Sequence, residues 1–125
     1  MSSPAVRIAL VGLGGTIGTG ARLLLGAAIP ELAGIPVATL AANVLGSLLL
    51  GVLAARLPGS SSWRVFLGTG VLGGFTTYSA FAVGSVTLWH SAPALAAAYA
   101  AGSLVLGIGA AALGLRLGAR KEHSE

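Results

Sequence analysis

The sequence predicts an all-α membrane protein of four transmembrane helices, and three observations carry that expectation. Hydrophobic residues make up 55% of the 125 positions, charged residues only 8%, and the mean hydropathy is +0.93. A soluble domain carries about 25% charged residues to cover its surface, so the apolar excess reads as surface facing lipid. Four apolar runs, about 5–29, 37–57, 65–89 and 94–117, are each long enough to span a bilayer at about 1.5 Å per residue. Short segments bearing proline, glycine, serine or histidine separate them, which leaves room for one transmembrane domain and no second one.

The first run holds Val11-Gly-Leu-Gly-Gly-Thr-Ile-Gly18, which has the look of a nucleotide-binding glycine loop. A strict G-x-G-x-x-G would place its third glycine at position 17, which is Ile17, and no βαβ unit surrounds it. The better reading is close helix packing. Gly14 and Gly18 form a G-x-x-x-G pair, as do Gly70 with Gly74 and Gly114 with Gly118. Arg22, near the end of this run, has two readings at this stage: a side chain that snorkels to the interface, or a cation that draws anions into a vestibule.

The second run places Thr39, Asn43 and Ser47 at i, i+4 and i+8, on one helix face. Tyr99 and Ser103 repeat that spacing on the fourth run, followed by Gly107. A hydroxyl can be satisfied by a local backbone carbonyl. An amide such as that of Asn43 is costly in hydrocarbon unless it meets a partner or water. Two polar stripes on different helices suggest a shared track.

The third run is the most unusual. Gly70-Val-Leu-Gly-Gly-Phe-Thr-Thr-Tyr-Ser-Ala-Phe81 puts adjacent glycines and then Thr76, Thr77, Tyr78 and Ser79 in the middle of a span. That composition predicts a helix broken mid-membrane, tolerated only where it is buried in protein or lines a cavity. Freed carbonyls there are cation ligands. Tyr78 and Phe81, three residues apart, should project from nearly the same side beyond the break. Trp63 and Trp89 flank the run, where indole rings prefer the interface.

Charge sets the orientation and excludes several functions. With the N-terminus inside, Arg7, Arg56, Arg64, Arg116, Arg120 and Lys121 all lie on the cytoplasmic side and only Arg22 lies toward the other. The expectation is N-in, C-in, in a cell inner (plasma) membrane. Seven basic residues spread over the ends of apolar runs do not make a nucleic-acid surface. The three acids, Glu31, Glu122 and Glu125, sit in a loop and the tail, so no span carries the buried acid of a proton- or cation-coupled transporter. No cysteine is present, which removes disulfides and thiolate metal sites. A cleaved leader is not expected, because three more runs follow the first.

Gly14-Gly15 with Gly18 and Arg22, then Thr39-x-x-x-Asn43-x-x-Gly46-Ser47, then Gly-Gly-Phe-Thr-Thr-Tyr-Ser-Ala-Phe, resemble the Fluc (CrcB-type) fluoride channel family over all four runs. The resemblance implies two subunits packed antiparallel, two narrow fluoride pathways, and a buried structural sodium ion at the dimer centre held by backbone carbonyls, here those of Gly73 and Thr76. It implies passive export of fluoride from the cytoplasm, relieving toxicity. By motif position the pore asparagine is Asn43, the paired phenylalanines fall at Tyr78 and Phe81, and the fourth-helix tyrosine and serine at Tyr99 and Ser103. This chain departs from the pattern at Tyr78, at Ala80 where a threonine is usual, and at Gly107 where a second serine is usual.

Fluoride is small and strongly hydrated, so a dry route must replace its water with donors. Asn43, Thr39, Ser47, Thr77, Ser79, Tyr99 and Ser103 can donate, and aromatic edges at Tyr78 and Phe81 carry partial positive charge. Arg22 adds a cation near the mouth. The lipid bilayer is the solvent, and the expected partner is a second chain, either another copy or a related subunit of opposite insertion, as the six-to-one charge bias suggests. A small multidrug exporter of similar size would need a glutamate in the first span, which has no acid. A non-transporting scaffold subunit is a further alternative. An enzyme fits least, with His90 in a loop and His123 in the tail.

Overall fold

The computed structural model of the chain describes residues 3–119. Arg120, Lys121, Glu122, His123 and Glu125, which enter the charge arguments above, lie outside the described residues.

Helix α1 runs Pro4–Ala28. Ser3 caps it by accepting from the Val6 N–H at 3.3 Å, and Pro4 occupies a first-turn position where no N–H is needed. The chain then reverses at Ala33 and Gly34, with φ of 53° and 82°, while Leu32 and Ile35 exchange backbone bonds of 3.1 and 2.9 Å. This is the two-residue turn geometry that favours glycine at its second centre. Helix α2 spans Val37–Arg56, directly after Pro36. Helix α5, Pro93–Gly118, starts on a proline as α1 does.

The third span covers Ser62–Ser91, 30 residues. It starts before and ends after its apolar run because hydropathy reports lipid contact and not helicity. Trp63 and Arg64 at one end and His90 at the other are helical but suit an interface. Arg64 also bonds back to the Leu57 carbonyl at 3.0 Å. The span has two parts. Helix α3, residues 62–75, contains an eight-residue π-helical stretch, Val65–Leu72. π turns are rare and concentrate at functional sites. Helix α4 is Tyr78–Ser91. Between them Thr76 (φ −82°, ψ 157°) and Thr77 (φ −150°, ψ 116°) are extended.

All four spans are long and apolar enough to cross a membrane. α1 packs along α3, α2 along α5, and α4 against α5, while α1 and α2 barely meet. Small residues make these contacts. Gly14, Gly18, Ala42, Gly46, Gly51, Gly70 and Gly114 are buried, whereas Ile8, Leu24, Val105 and Ile108 are exposed. That is the reverse of a soluble core. It suits helices whose outer surface meets lipid and whose backbones must approach closely. At Gly51 and Gly114 of α2 and α5, a Cβ on either residue would overlap the other helix's backbone. A small apolar cluster of Leu88, Ala96 and Tyr99, with Phe81 and Ile35 against it, holds α4 to α5 and to the first loop.

Candidate ion pathway

The interruption at Thr76–Thr77 is held from two sides. On one side α1 runs along α3 with glycine facing glycine. A Cβ on Gly14 would lie 2.9 Å from the Gly70 Cα, and one on Gly18 would lie 2.8 Å from the Phe75 nitrogen. Gly74 faces the Gly15 backbone so closely that it too admits no side chain. Its carbonyl accepts from Thr19 Oγ1 at 3.4 Å and from Arg22 Nε at 3.3 Å.

On the other side stands Asn43 of α2. Its Oδ1 accepts from the Thr77 N–H at 2.8 Å, and its Nδ2 donates to the Thr77 carbonyl at 3.1 Å. The amide thus pairs with both backbone groups of one extended residue, as a neighbouring strand would, and this fixes which end of the amide is nitrogen. One Nδ2–H is used and the second remains. Gly46, one turn along, makes the approach possible, since a Cβ there would run into the Thr76 methyl group.

These bonds redirect the donors of the next helical turn. The Thr77 N–H, four residues after Gly73, goes to Asn43. The Ala80 N–H, four residues after Thr76, goes to Thr77 Oγ1 at 3.1 Å. The carbonyls of Gly73 and Thr76 therefore lose their helical donors. Carbonyl oxygens in that state have the chemistry to hold a hard monovalent cation. Among the described residues no three His, Cys, Asp or Glu side chains come together.

An open groove of about 500 Å³ lies beside the interruption, lined by α2, α3, α4 and α5. Its polar lining comes from Asn43, Ser47, Thr76, Thr77, Tyr78 and Ser103, and its apolar lining from Leu50, Leu72, Phe81, Leu104 and Ile108. The Phe81 ring stands 6.1 Å from Tyr78 and 5.8 Å from Tyr99, centroid to centroid, so three aromatics step from the exposed mouth into the buried cluster. Tyr78 is 81% exposed and Tyr99 6%. Elsewhere, hydroxyls turn back onto their own helix: Thr16 to Gly12, Thr76 to Leu72 and Ser85 to Phe81, at 2.8–2.9 Å. The Tyr99 and Ser103 hydroxyls are buried beside each other, one turn apart on α5, and bond to no other group of the protein.

The structure thus gathers Asn43, Ser47, Thr77, Tyr78, Phe81 and Ser103 on one groove, with Gly73 and Thr76 in its wall and the Tyr99 ring tilted against Phe81 behind it. Thr39 is half-buried outside the groove lining. Ser79 is exposed and shares a 3.1 Å bond with Thr77 Oγ1. Arg22 is turned onto Gly74, away from the groove. Sequence reasoning passes over Thr19. Its signal is present, since Gly15, Thr19 and Arg22 follow i, i+4, i+7 on one face. The π winding has no comparable signal in the residues.

Comparison with known proteins places this geometry. Residues 9–115 match the family described as CrcB-like protein, Camphor Resistance (CrcB). A protein of Agrobacterium fabrum named fluoride-specific ion channel FluC is 48% identical over 120 residues, covering 90% of this chain and 96% of its own length. One of the same name from Novosphingobium aromaticivorans is 47% identical, over 87% and 93%. One named fluoride-specific ion channel FluC 2, from Leifsonia xyli, is 46% identical, over 88% and 81%. A match across most of the chain, with four apolar spans beneath it, makes this multi-pass membrane protein a member of the CrcB family.

Proposed function

We propose that this chain is one subunit of a fluoride-selective channel through which fluoride leaves the cytoplasm down its electrochemical gradient, lowering fluoride toxicity. The observation that carries the reading is the groove itself. It offers the spare Asn43 N–H, the Ser47 and Ser103 hydroxyls and the Tyr78 and Phe81 ring edges, and no carboxylate lines it. The relatives named fluoride-specific ion channel FluC point to the same ion.

The residues divide the work. Asn43 and the hydroxyls of Ser47, Thr77 and Ser103, with Tyr99 next to Ser103, stand in for water around a small anion that is costly to strip bare. Phe81 and Tyr78 present positive ring edges. Several weak contacts in series let the ion leave as well as enter. The buried Tyr99 and Ser103 hydroxyls support this reading, because they have only each other as polar neighbours and keep hydrogen-bonding capacity that a ligand would use.

A sodium ion suits the carbonyls of Gly73 and Thr76, which have lost their helical donors, and it would supply a fixed positive charge at the centre of an antiparallel dimer. The second chain in that dimer is a copy of this one or a related subunit inserted the other way. The six-to-one bias in basic residues favours the related subunit, with both termini of this chain cytoplasmic in the inner (plasma) membrane.

Purified protein in liposomes loaded with potassium fluoride should release fluoride when a potassium ionophore collapses the membrane potential. Phe81→Ala, with its fold intact, should slow that release at least about tenfold. A folded wild-type protein, reconstituted alone or with its related subunit, that passes no fluoride overturns the reading. Terminal tags in cells expressing only this chain test the partner. Tags reached equally from both sides support a self-pair, and tags confined to the cytoplasm support a second chain.

A further inference from the structure

We propose that Arg22 is a positioning residue for the third-span interruption: with Thr19 it holds the Gly74 carbonyl on the α1 side, leaving Gly73 and Thr76 as the carbonyls offered to a cation. The last clause rests on the sodium reading above. The hold on Gly74 stands on geometry alone.

A charged side chain inside a span is expensive unless it is paired, and one near a helix end ordinarily reaches outward. Arg22 lies six residues before the end of α1, yet its Nε donates inward to Gly74, near the midpoint of the third span. Side chains on a helix lean toward its N-terminus, and from Arg22 that direction points into the bilayer. The acceptor is a carbonyl at the end of a helical segment, where the following turn has stopped. A guanidinium bond to such a group is charge-assisted and gains strength where water is scarce. Thr19 adds a second donor to the same oxygen at 3.4 Å. Gly74 does not line the groove, whereas Gly73 and Thr76 do. The carbonyls at the interruption are thereby sorted: that of Gly74 is held by α1, and those of Gly73 and Thr76, in residues of the groove wall, are left without a helical donor.

Two substitutions at Arg22 separate this role from simple attraction of anions. Glutamine places an amide nitrogen where Arg22 has Nε, without charge. Lysine keeps the charge but has a carbon at that point. Backbone hydrogen exchange over residues 73–80, measured in micelles without fluoride, should be about tenfold faster in Arg22→Lys than in wild type. Arg22→Gln, which keeps the N–H but loses the charge, should fall between wild type and Arg22→Lys, and exchange over residues 37–56 should not change in either variant. Thr19→Val, which keeps the shape and removes the donor, should give a smaller increase over the same segment. Slow exchange in Arg22→Lys with fast exchange in Arg22→Gln overturns the proposal, as does equal exchange in all three proteins. The readout needs no transport, so a wild-type protein that carries no fluoride sinks the channel reading while these rates still decide the role of Arg22.

Discussion

The two faces of the third-span interruption are built on opposite principles. Toward α1 the backbones touch: Gly14 against Gly70, Gly18 against Phe75 and Gly74 against Gly15 leave no space for even a methyl group. Polar groups there are spent on protein, as Thr19 and Arg22 both bond Gly74. Toward α2 and α5 the same segment borders a groove of about 500 Å³, and the buried hydroxyls of Tyr99 and Ser103 have only each other as polar neighbours. Two extended residues in a span are tolerable only if something else satisfies their backbone. Asn43 satisfies both backbone groups of Thr77 and the Leu72 carbonyl takes the Thr76 N–H, while α1 holds the neighbouring Gly74; the groove face is left with surplus donors. A rigid back and an unsatisfied front are what a fixed ion route in lipid needs, because the donors must stay in place when no ion is bound.

The largest expected effect breaks the rigid face. Gly18→Ala drives a Cβ into the Val71 carbonyl oxygen, and backbone cannot step aside as a flexible side chain can. We expect a loss of about 3 kcal/mol or failure to fold, since overpacking at a tight contact typically costs about 1–3 kcal/mol and backbone relaxes least. Gly20, half a turn away, has nothing within 4 Å of the place a methyl group would take, so Gly20→Ala should be neutral or add up to about 1 kcal/mol from helix propensity. Thermal unfolding followed by fluorescence of Trp63 and Trp89 distinguishes the two. Equal midpoints for both variants would mean that α1 does not seat on α3 as described.

Asn43→Leu comes next and tests the link between the two faces. It orphans the Thr77 N–H and carbonyl together. Leaving buried polar groups unmet costs about 1–3 kcal/mol, so about 2 kcal/mol is expected after some local relaxation. Asn43→Asp keeps an acceptor for the Thr77 N–H, loses the donor to its carbonyl, and sets a negative charge in the groove. It should retain more stability than Asn43→Leu yet pass fluoride at least about tenfold more slowly than wild type. Were Asn43→Asp to conduct as wild type does, the groove would not be the anion route.

Much of this is legible in the residues. The four spans follow from composition and run length, because lipid demands apolar surface over a fixed distance. Asn43, Ser47, Phe81 and Ser103 can be grouped from i, i+4 spacing and the unusual Gly-Gly-Phe-Thr-Thr stretch. What spacing does not give is the partner of each polar group. Asn43 reads as a donor along a track, and the structure also makes it the brace for Thr77, a contact 34 residues away in sequence. Arg22 has two readings because one helix says nothing of its neighbour, and only the α1–α3 pairing turns it toward Gly74. The π winding at Val65–Leu72 is a choice between hydrogen-bond registers that differ little in composition.

The smallest effect on stability is expected on the groove face, and it is informative because it is small. Tyr99→Phe removes a hydroxyl whose one polar neighbour is Ser103, with no well-formed hydrogen bond between them, and keeps the ring 5.8 Å from that of Phe81. A hydroxyl serving the fold would be missed. One held out of water without a bond should be replaced at no loss, or with a gain of up to about 1 kcal/mol as its desolvation is relieved. Fluoride release should nonetheless slow, by about tenfold if that hydroxyl meets the ion directly, since one lost hydrogen bond to a charged ligand is worth about 1.5–3 kcal/mol. Stability and flux would then move in opposite directions at one atom, as expected of a group placed for an ion and not for packing. A parallel loss of both would return Tyr99 to the apolar cluster with Leu88 and Ala96 and leave Ser103 and Asn43 to carry the route.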